Sequence, residues 1–174
     1  MNTKMSNPCT ISLIGMPGAG KSTVGVLLAK LTGLRFCDTD LDIQVREQAT
    51  LQAILEQHGY RFLRSVEEQV ILEIDLQDAV VSTGGSAVYS EAAMDRLQRA
   101  GPVVYLEADL ATLEQRVAAA PLRGIASDAA QSFAELYAER TPLYRRHADL
   151  TVDATAGCAE QIAESVLSRL HAQQ

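Results

Sequence analysis

The sequence predicts an α/β protein, a three-layer α/β/α sandwich around a mainly parallel five-stranded sheet, and three observations support this. Short apolar runs alternate along the chain with longer amphipathic segments, the order expected of repeated strand-helix units. The runs are continuous rather than alternating, as in Val103-Val104-Tyr105-Leu106, which suits strands covered on both faces. Residues Gly15 to Ser22, Gly-Met-Pro-Gly-Ala-Gly-Lys-Ser, complete the phosphate-loop pattern G-x-x-x-x-G-K-[ST]. They lie between an apolar run and an amphipathic segment, where such a loop meets a strand end and a helix N-terminus.

Taken in order, the apolar run Thr10 to Ile14 predicts the first strand, and Lys21 to Thr32, with Val24, Leu27, Leu28 and Leu31 on one side, the first helix. Arg35 to Cys37 is the second strand, followed by the amphipathic segment Leu41 to Gln48. Two further helices, Leu51 to His58 and Tyr60 to Leu76, flank Gly59 and lead into a third strand at Ala79 to Ser82. Glu91 to Ala100 reads as a helix, Val103 to Leu106 as the fourth strand and Leu110 to Ala119 as the next helix. The stretch Ala119 to Ala130, AAPLRGIASDAA, is weak in both periodicities; it is a surface loop or a mobile cover over bound phosphates. Ser132 to His147 and Ala159 to His171 predict the last helices, around a fifth strand at Leu150 to Val152. With no internal repeat or low-complexity tract, residues 1–174 are expected to form one domain.

The chain is long enough, and with 47% hydrophobic residues apolar enough, to bury a core. Its net charge of −7, with no basic run longer than Arg145-Arg146, argues against a nucleic-acid groove or an anionic membrane surface. The opening MNTKMSNP is polar, no apolar run approaches a membrane span, and a cytosolic protein is expected. Cys9, Cys37 and Cys158 are odd in number without C-x-x-C spacing and read as buried free thiols. His58, His147 and His171 lack metal-site spacing and read as surface or core residues.

The chemistry concentrates in four places. In the phosphate loop, glycines let the backbone wrap a nucleoside triphosphate: Gly15, Gly18, Ala19 and Gly20, with Lys21, Ser22 and Thr23, are the expected nucleotide contacts. Lys21 reaches the β- and γ-phosphates, and Ser22 can ligate Mg²⁺. After the second strand, Asp38-Thr39-Asp40 places two carboxylates at a strand's carboxyl end. If the segment stays extended they share one side, one toward the metal and one toward a phosphate acceptor; alternatively, Asp40 caps the next helix. Ser82-Thr83-Gly84-Gly85-Ser86-Ala87 follows the third strand, as a close backbone approach to a ligand or as a tight turn. Arg64, Arg116, Arg123 and Arg140 are either solvated or a set that grips carboxylate and phosphate groups.

The succession GMPGAGKST, DTD, LRSVEE, TGGSAV, an arginine loop and ERTPLYRR resembles the shikimate kinase family, P-loop kinases of the nucleoside-monophosphate-kinase-like group, over nearly the whole chain. That resemblance implies ATP-dependent phosphorylation of the 3-hydroxyl of shikimate, in chorismate and aromatic amino-acid biosynthesis, with Mg²⁺ as cofactor and a monomeric protein. It implies that Asp40 contacts the acceptor hydroxyls and acts as base, and that Asp38 holds Mg²⁺ through water. Arg64 and Arg140 would clamp the shikimate carboxylate, with Gly84 and Gly85 beside it. Arg123 would reach the transferred phosphoryl group from a lid at about 119–130, and Arg116 would pack on adenine. Glu67, three residues after Arg64, would orient that guanidinium from the same helix face.

Three positions depart from the family pattern. Ser86 stands for the third glycine of a triplet and would be strained if a positive φ is needed there. Gly124 follows Arg123 where the family has proline, implying a looser lid. Leu63 stands where an aromatic is common. These departures leave two other readings open: a related kinase acting on a different hydroxy-acid or polyol, and a nucleotide-binding paralogue with impaired catalysis. A nucleoside-monophosphate kinase fits less well, because no base pocket or longer arginine-rich lid is evident.

Overall fold

The computed structural model describes residues 10–120, 124–128 and 130–173. Five short strands, β1 (Ile11–Ile14), β2 (Arg35–Asp38), β3 (Ala79–Ser82), β4 (Val103–Glu107) and β5 (Leu150–Asp153), form one sheet in the order β2-β3-β1-β4-β5. All neighbouring pairs are parallel. Around them run α1 (Lys21–Thr32), α2 (Thr39–Glu47), α3 (Leu51–Glu73), α4 (Glu91–Ala100), α5 (Leu110–Ala119), α6 (Phe133–His147) and α7 (Ala159–His171). Successive strand residues face opposite sides of a sheet, and Val80 with Val81, and Val103 with Val104, are wholly buried. The central strands are therefore covered on both faces, as their unbroken apolar runs require. α1 packs on α7 and against β2 and β3, α4 packs on α3 and β1, and α6 lies against β4.

Boundaries differ from the sequence expectation where capping decides them. α2 starts at Thr39 because the Asp38 carboxylate accepts a hydrogen bond from the Asp40 N–H at 3.1 Å. The cap is thus Asp38 rather than Asp40, and Asp40 lies in the first helical turn, so the two do not share a side through strand pleating. The two helices expected around Gly59 follow one another directly within α3, broken by the non-helical backbone of that glycine (φ 78°, ψ 171°), and the second ends at Glu73 rather than Leu76. A single 3₁₀ turn at Ala87–Tyr89, unsignalled by any periodicity, follows β3.

Of the thiols, Cys37 is half-buried and donates to Asp42 Oδ2 (3.2 Å), its pKa pushed up to about 12 by burial. Cys158 is exposed at the start of α7, not buried as expected, because that position caps an amphipathic helix rather than facing the core. Cys9 lies outside the described residues. His147 is buried, while His58 and His171 are exposed. Among the described residues no helix is long and apolar enough to cross a membrane.

Candidate active site

The chain leaves β1 on one side to make β2 and β3 and returns to the other side for β4, so the carboxyl ends of β1 and β3 border the sheet's crevice. Two hydrogen bonds from Thr83 to the Leu13 carbonyl, N–H at 3.2 Å and Oγ1 at 2.9 Å, lock the segment after β3 onto the end of β1. Gly84 N–H donates to Thr39 Oγ1 at 2.9 Å, adding the start of α2. The phosphate loop, the Asp38-Thr39-Asp40 segment and the Gly84-Gly85 turn, separate in sequence, thereby line one cavity of about 600 Å³.

On the loop side, Gly18, Gly20, Lys21, Ser22 and Thr23 line the cavity. Gly15, Gly18 and Gly20 have φ of 148°, 86° and 91°, the region open to glycine. Gly20 caps α1 without a side chain, so the first N–H groups of that helix face the loop's hollow with their partial positive charge. Ala19 is buried, its N–H donating to the Met16 carbonyl at 3.1 Å; Gly15 touches β4, where a Cβ would stand 2.8 Å from the Leu106 carbonyl. Lys21 folds back on the loop, donating to the Gly15 and Met16 carbonyls at 2.7 and 3.0 Å. Burial pulls its pKa down to about 8, against the opposing pull of Asp40, Glu67 and Asp38. Such an ammonium group is poised for a polyanion. Arg116 lies half-buried across the cavity mouth, donating to the carbonyls of Gly18 (3.4 Å) and Ala154 (3.1 Å).

Across the cavity stand Asp40, Glu67, Gly84, Gly85, Ser86 and Arg140. Glu67 does not orient Arg64; it turns the other way. Ser86 Oγ donates to its Oε2, while its buried Oε1 has no hydrogen-bond partner among the described residues. Burial pushes its pKa up to about 7, helped by Asp40 and opposed by the Ser86 hydroxyl, Arg140 and Lys21. A Cβ at Gly84 would lie 2.4 Å from Glu67 Oε1 and 2.9 Å from Asp40 Oδ1; one at Gly85 would lie 2.8 Å from Arg140 Nη1. Ser86 itself has φ −97° and ψ 0°, so no positive φ is needed at the third position, and the feared strain is absent.

Arg140 is only 1% exposed. Its Nη2 and the Arg64 Nε both donate to the Ala126 carbonyl, at 2.8 and 3.1 Å. Ala126 is buried with Ile43, Ile54, Leu63, Val66 and Val70, so this part of the 119–130 segment is packed rather than loose. Gly124 permits this close approach: a Cβ there would stand 2.5 Å from the Leu51 carbonyl carbon and oxygen. Leu63 is core as well as cavity wall. Arg123 lies outside the described residues.

Ser22 Oγ lies 3.3 Å from Ser82 Oγ, and Ser82 is the register partner of Asp38. A hydroxyl from the first turn of α1 beside a hydroxyl and a carboxylate at adjoining strand ends suits Mg²⁺, which keeps several waters and takes few protein ligands. Among the described residues there is no cluster of three or more His, Cys, Asp or Glu able to hold a metal by itself. Sequence reasoning missed the Ser86–Glu67 pair and the part played by Tyr89, described below. A signal existed for the first: Glu67 interrupts the apolar stripe Leu63, Val66, Val70 of α3, and a carboxylate on a buried face needs a partner.

Comparison with known proteins is consistent with this geometry. The sequence model of the family described as shikimate kinase matches residues 17–171. A shikimate kinase of Halorhodospira halophila is 39% identical over 169 residues, 95% of this chain and 96% of its own. One of Mycobacterium avium is 38% identical over 164 residues, 92% of each. The solved shikimate kinase from Acinetobacter baumannii, in complex with shikimate, superposes with a TM-score of 0.85 at 31% identity, covering 97% of this chain and 96% of that one.

Proposed function

The chain belongs to the shikimate kinase family and is a kinase using ATP with Mg²⁺; we propose that it transfers the γ-phosphoryl group to the 3-hydroxyl of shikimate, with the roles divided as follows. The loop from Gly15 to Thr23 binds the phosphates, Lys21 trading its two carbonyl partners for phosphate oxygens. Arg116 flanks the nucleotide base. Ser22 and, through water, Asp38 would hold Mg²⁺, which would supply charge neutralisation at the phosphates. Asp40 accepts the proton of the acceptor hydroxyl, Gly84 and Gly85 leave room for the ring beside it, and Arg64 and Arg140 fix its carboxylate. Arg123 is assigned to the transferred phosphoryl group. In this reading residues 1–174 act as one domain, as a monomer and in the cytosol.

One observation carries the acceptor half: two guanidinium groups, from α3 and α6, converge on a single carbonyl oxygen beside the cavity. Two N–H donors meeting at one oxygen form the contact a carboxylate makes more strongly. The alternative of a different acceptor drew on Ser86 and Leu63; the relaxed backbone of Ser86 removes the first motive, while Leu63 stands in the cavity wall.

The test is ADP release in the presence of ATP, Mg²⁺ and shikimate, with shikimate-independent release as baseline. Asp40→Asn is expected to lower kcat by about 100-fold or more while ATP affinity stays within about twofold. Lys21→Ala is expected to damage both. Equal, small effects of the two substitutions would remove Asp40 from the acceptor site.

A further inference from the structure

Arg64 and Arg140 present a physical difficulty. Two like charges converge on one oxygen, and Arg140 is almost wholly buried. Among the described residues no carboxylate stands within ion-pairing distance of either guanidinium. What both guanidinium groups approach is Tyr89, at the end of the 3₁₀ turn that follows the Gly84-Gly85-Ser86 segment. The Arg64 Cζ is 3.9 Å from the centre of the Tyr89 ring and the Arg140 Cζ is 5.3 Å from it. A second ring, Tyr60, lies 4.9 Å from Arg64. Tyr89 Oη accepts a hydrogen bond from Arg140 Nε at 3.3 Å and donates its own proton to Glu139 Oε1.

We propose that Tyr89 is the positioning residue of the acceptor's carboxylate site, holding Arg64 and Arg140 convergent through its ring face while leaving their in-plane N–H groups to the substrate. The inference rests on the functional reading above. A guanidinium carries its donors in its own plane and its charge over both faces. A carboxylate neighbour would steady the charge by occupying the donors, competing with the ligand. An aromatic face steadies it without using a donor. Tyr89 spends one acceptor on Arg140 Nε and passes its proton to Glu139, so the acidic group stands one residue removed from the clamp. The donors that reach Ala126, Arg64 Nε and Arg140 Nη2, are not used by Tyr89 and can exchange that carbonyl for a carboxylate.

The experiment compares wild type, Tyr89→Phe and Tyr89→Leu, measuring ADP release with shikimate and with its uncharged methyl ester, alongside the urea unfolding midpoint. Tyr89→Leu is expected to raise the shikimate KM about tenfold or more, leaving the ATP KM and the unfolding midpoint near wild type. Turnover of the ester, which lacks the anionic group, should change by less than about twofold. Tyr89→Phe keeps the ring and should stay within about threefold of wild type. A shikimate KM unmoved by Tyr89→Leu, or an equal loss with the ester, would overturn the proposal. So would Tyr89→Phe proving as damaged as Tyr89→Leu, since the hydroxyl rather than the ring would then be what matters. Wild-type protein with no shikimate-dependent ADP release would overturn the functional reading and this inference with it; turnover with an unaffected Tyr89→Leu would overturn the inference alone.

Discussion

At Gly84, Gly85 and Ser86 three adjacent positions meet different demands. The first two are glycines because any Cβ would enter the space of Glu67, Asp40 and Arg140. The third keeps an ordinary backbone, so a side chain is tolerated there, and its hydroxyl is used: it donates to the buried Glu67 carboxylate. That bond favours the ionised form and opposes the upward push of burial on the Glu67 pKa, which stands at about 7. Ionised Glu67 helps Asp40 balance Lys21 and Arg140 across the cavity, so activity is expected to fall on the acid side of about pH 7. Ser86→Ala removes the donor, the Glu67 pKa rises further, and the acid limb of the kcat/KM profile for shikimate should move up by about half a unit or more. A limb that stays in place in Ser86→Ala would show that the hydroxyl does not tune this carboxylate.

The acceptor half of the site is carried largely by α3, and its break at Gly59 sets the direction of the part bearing Arg64 and Glu67. The backbone there combines φ 78° with ψ 171°, a region held almost only by glycine. A Cβ at this position meets nothing within 4 Å, so Gly59→Ala isolates the backbone cost from any clash. The substitution should lower unfolding stability in urea by about 1–3 kcal/mol and raise the shikimate KM with it. An unchanged urea midpoint would mean that the helix runs straight through the position at no cost. The break was legible in sequence as a glycine between two amphipathic segments. All five strands were legible within a residue or so, because continuous apolar runs ended by polar or glycine residues leave few alternatives. The 3₁₀ turn at Ala87–Tyr89 was not, being too short to carry a period. Among site residues, Lys21, Asp40 and Gly84 were legible as motif members. The Ala126 carbonyl between Arg64 and Arg140 was not, because it joins residues 62 and 14 positions apart that only packing brings together.

At the scale of the whole molecule, a chain of net charge −7 gathers Lys21, Arg116 and Arg140 around one cavity and buries Glu67 within reach of Lys21 and Arg140. Burying a carboxylate ties the folding equilibrium to pH. Its pKa is raised from an ordinary 4.5 to about 7, chiefly by burial, so between these values the folded chain holds a proton that the unfolded chain has released. The unfolded state then binds fewer protons, and unfolding stability falls as pH rises through that window. Below about 4.5 both states are protonated and the effect vanishes; above about 7 both are ionised and the full cost remains. The carboxylates of Asp109, Glu135 and Asp153 act with the opposite sign, their pKa values lowered by hydrogen bonds from Thr112, Ser132 and Thr155. Their stabilisation is lost only as pH falls below the ordinary carboxylate range, outside the Glu67 window. In Glu67→Gln the proton is replaced by a permanently uncharged amide. The stability of Glu67→Gln relative to wild type, from urea unfolding at pH 5 and pH 8, should therefore increase with pH by up to about 3 kcal/mol. Groups that do not interact with Glu67 cancel in that difference, while Lys21, whose pKa Glu67 helps to hold up, does not. A difference that is the same at both pH values would place the Glu67 pKa near its ordinary value and remove the carboxylate's coupling to folding.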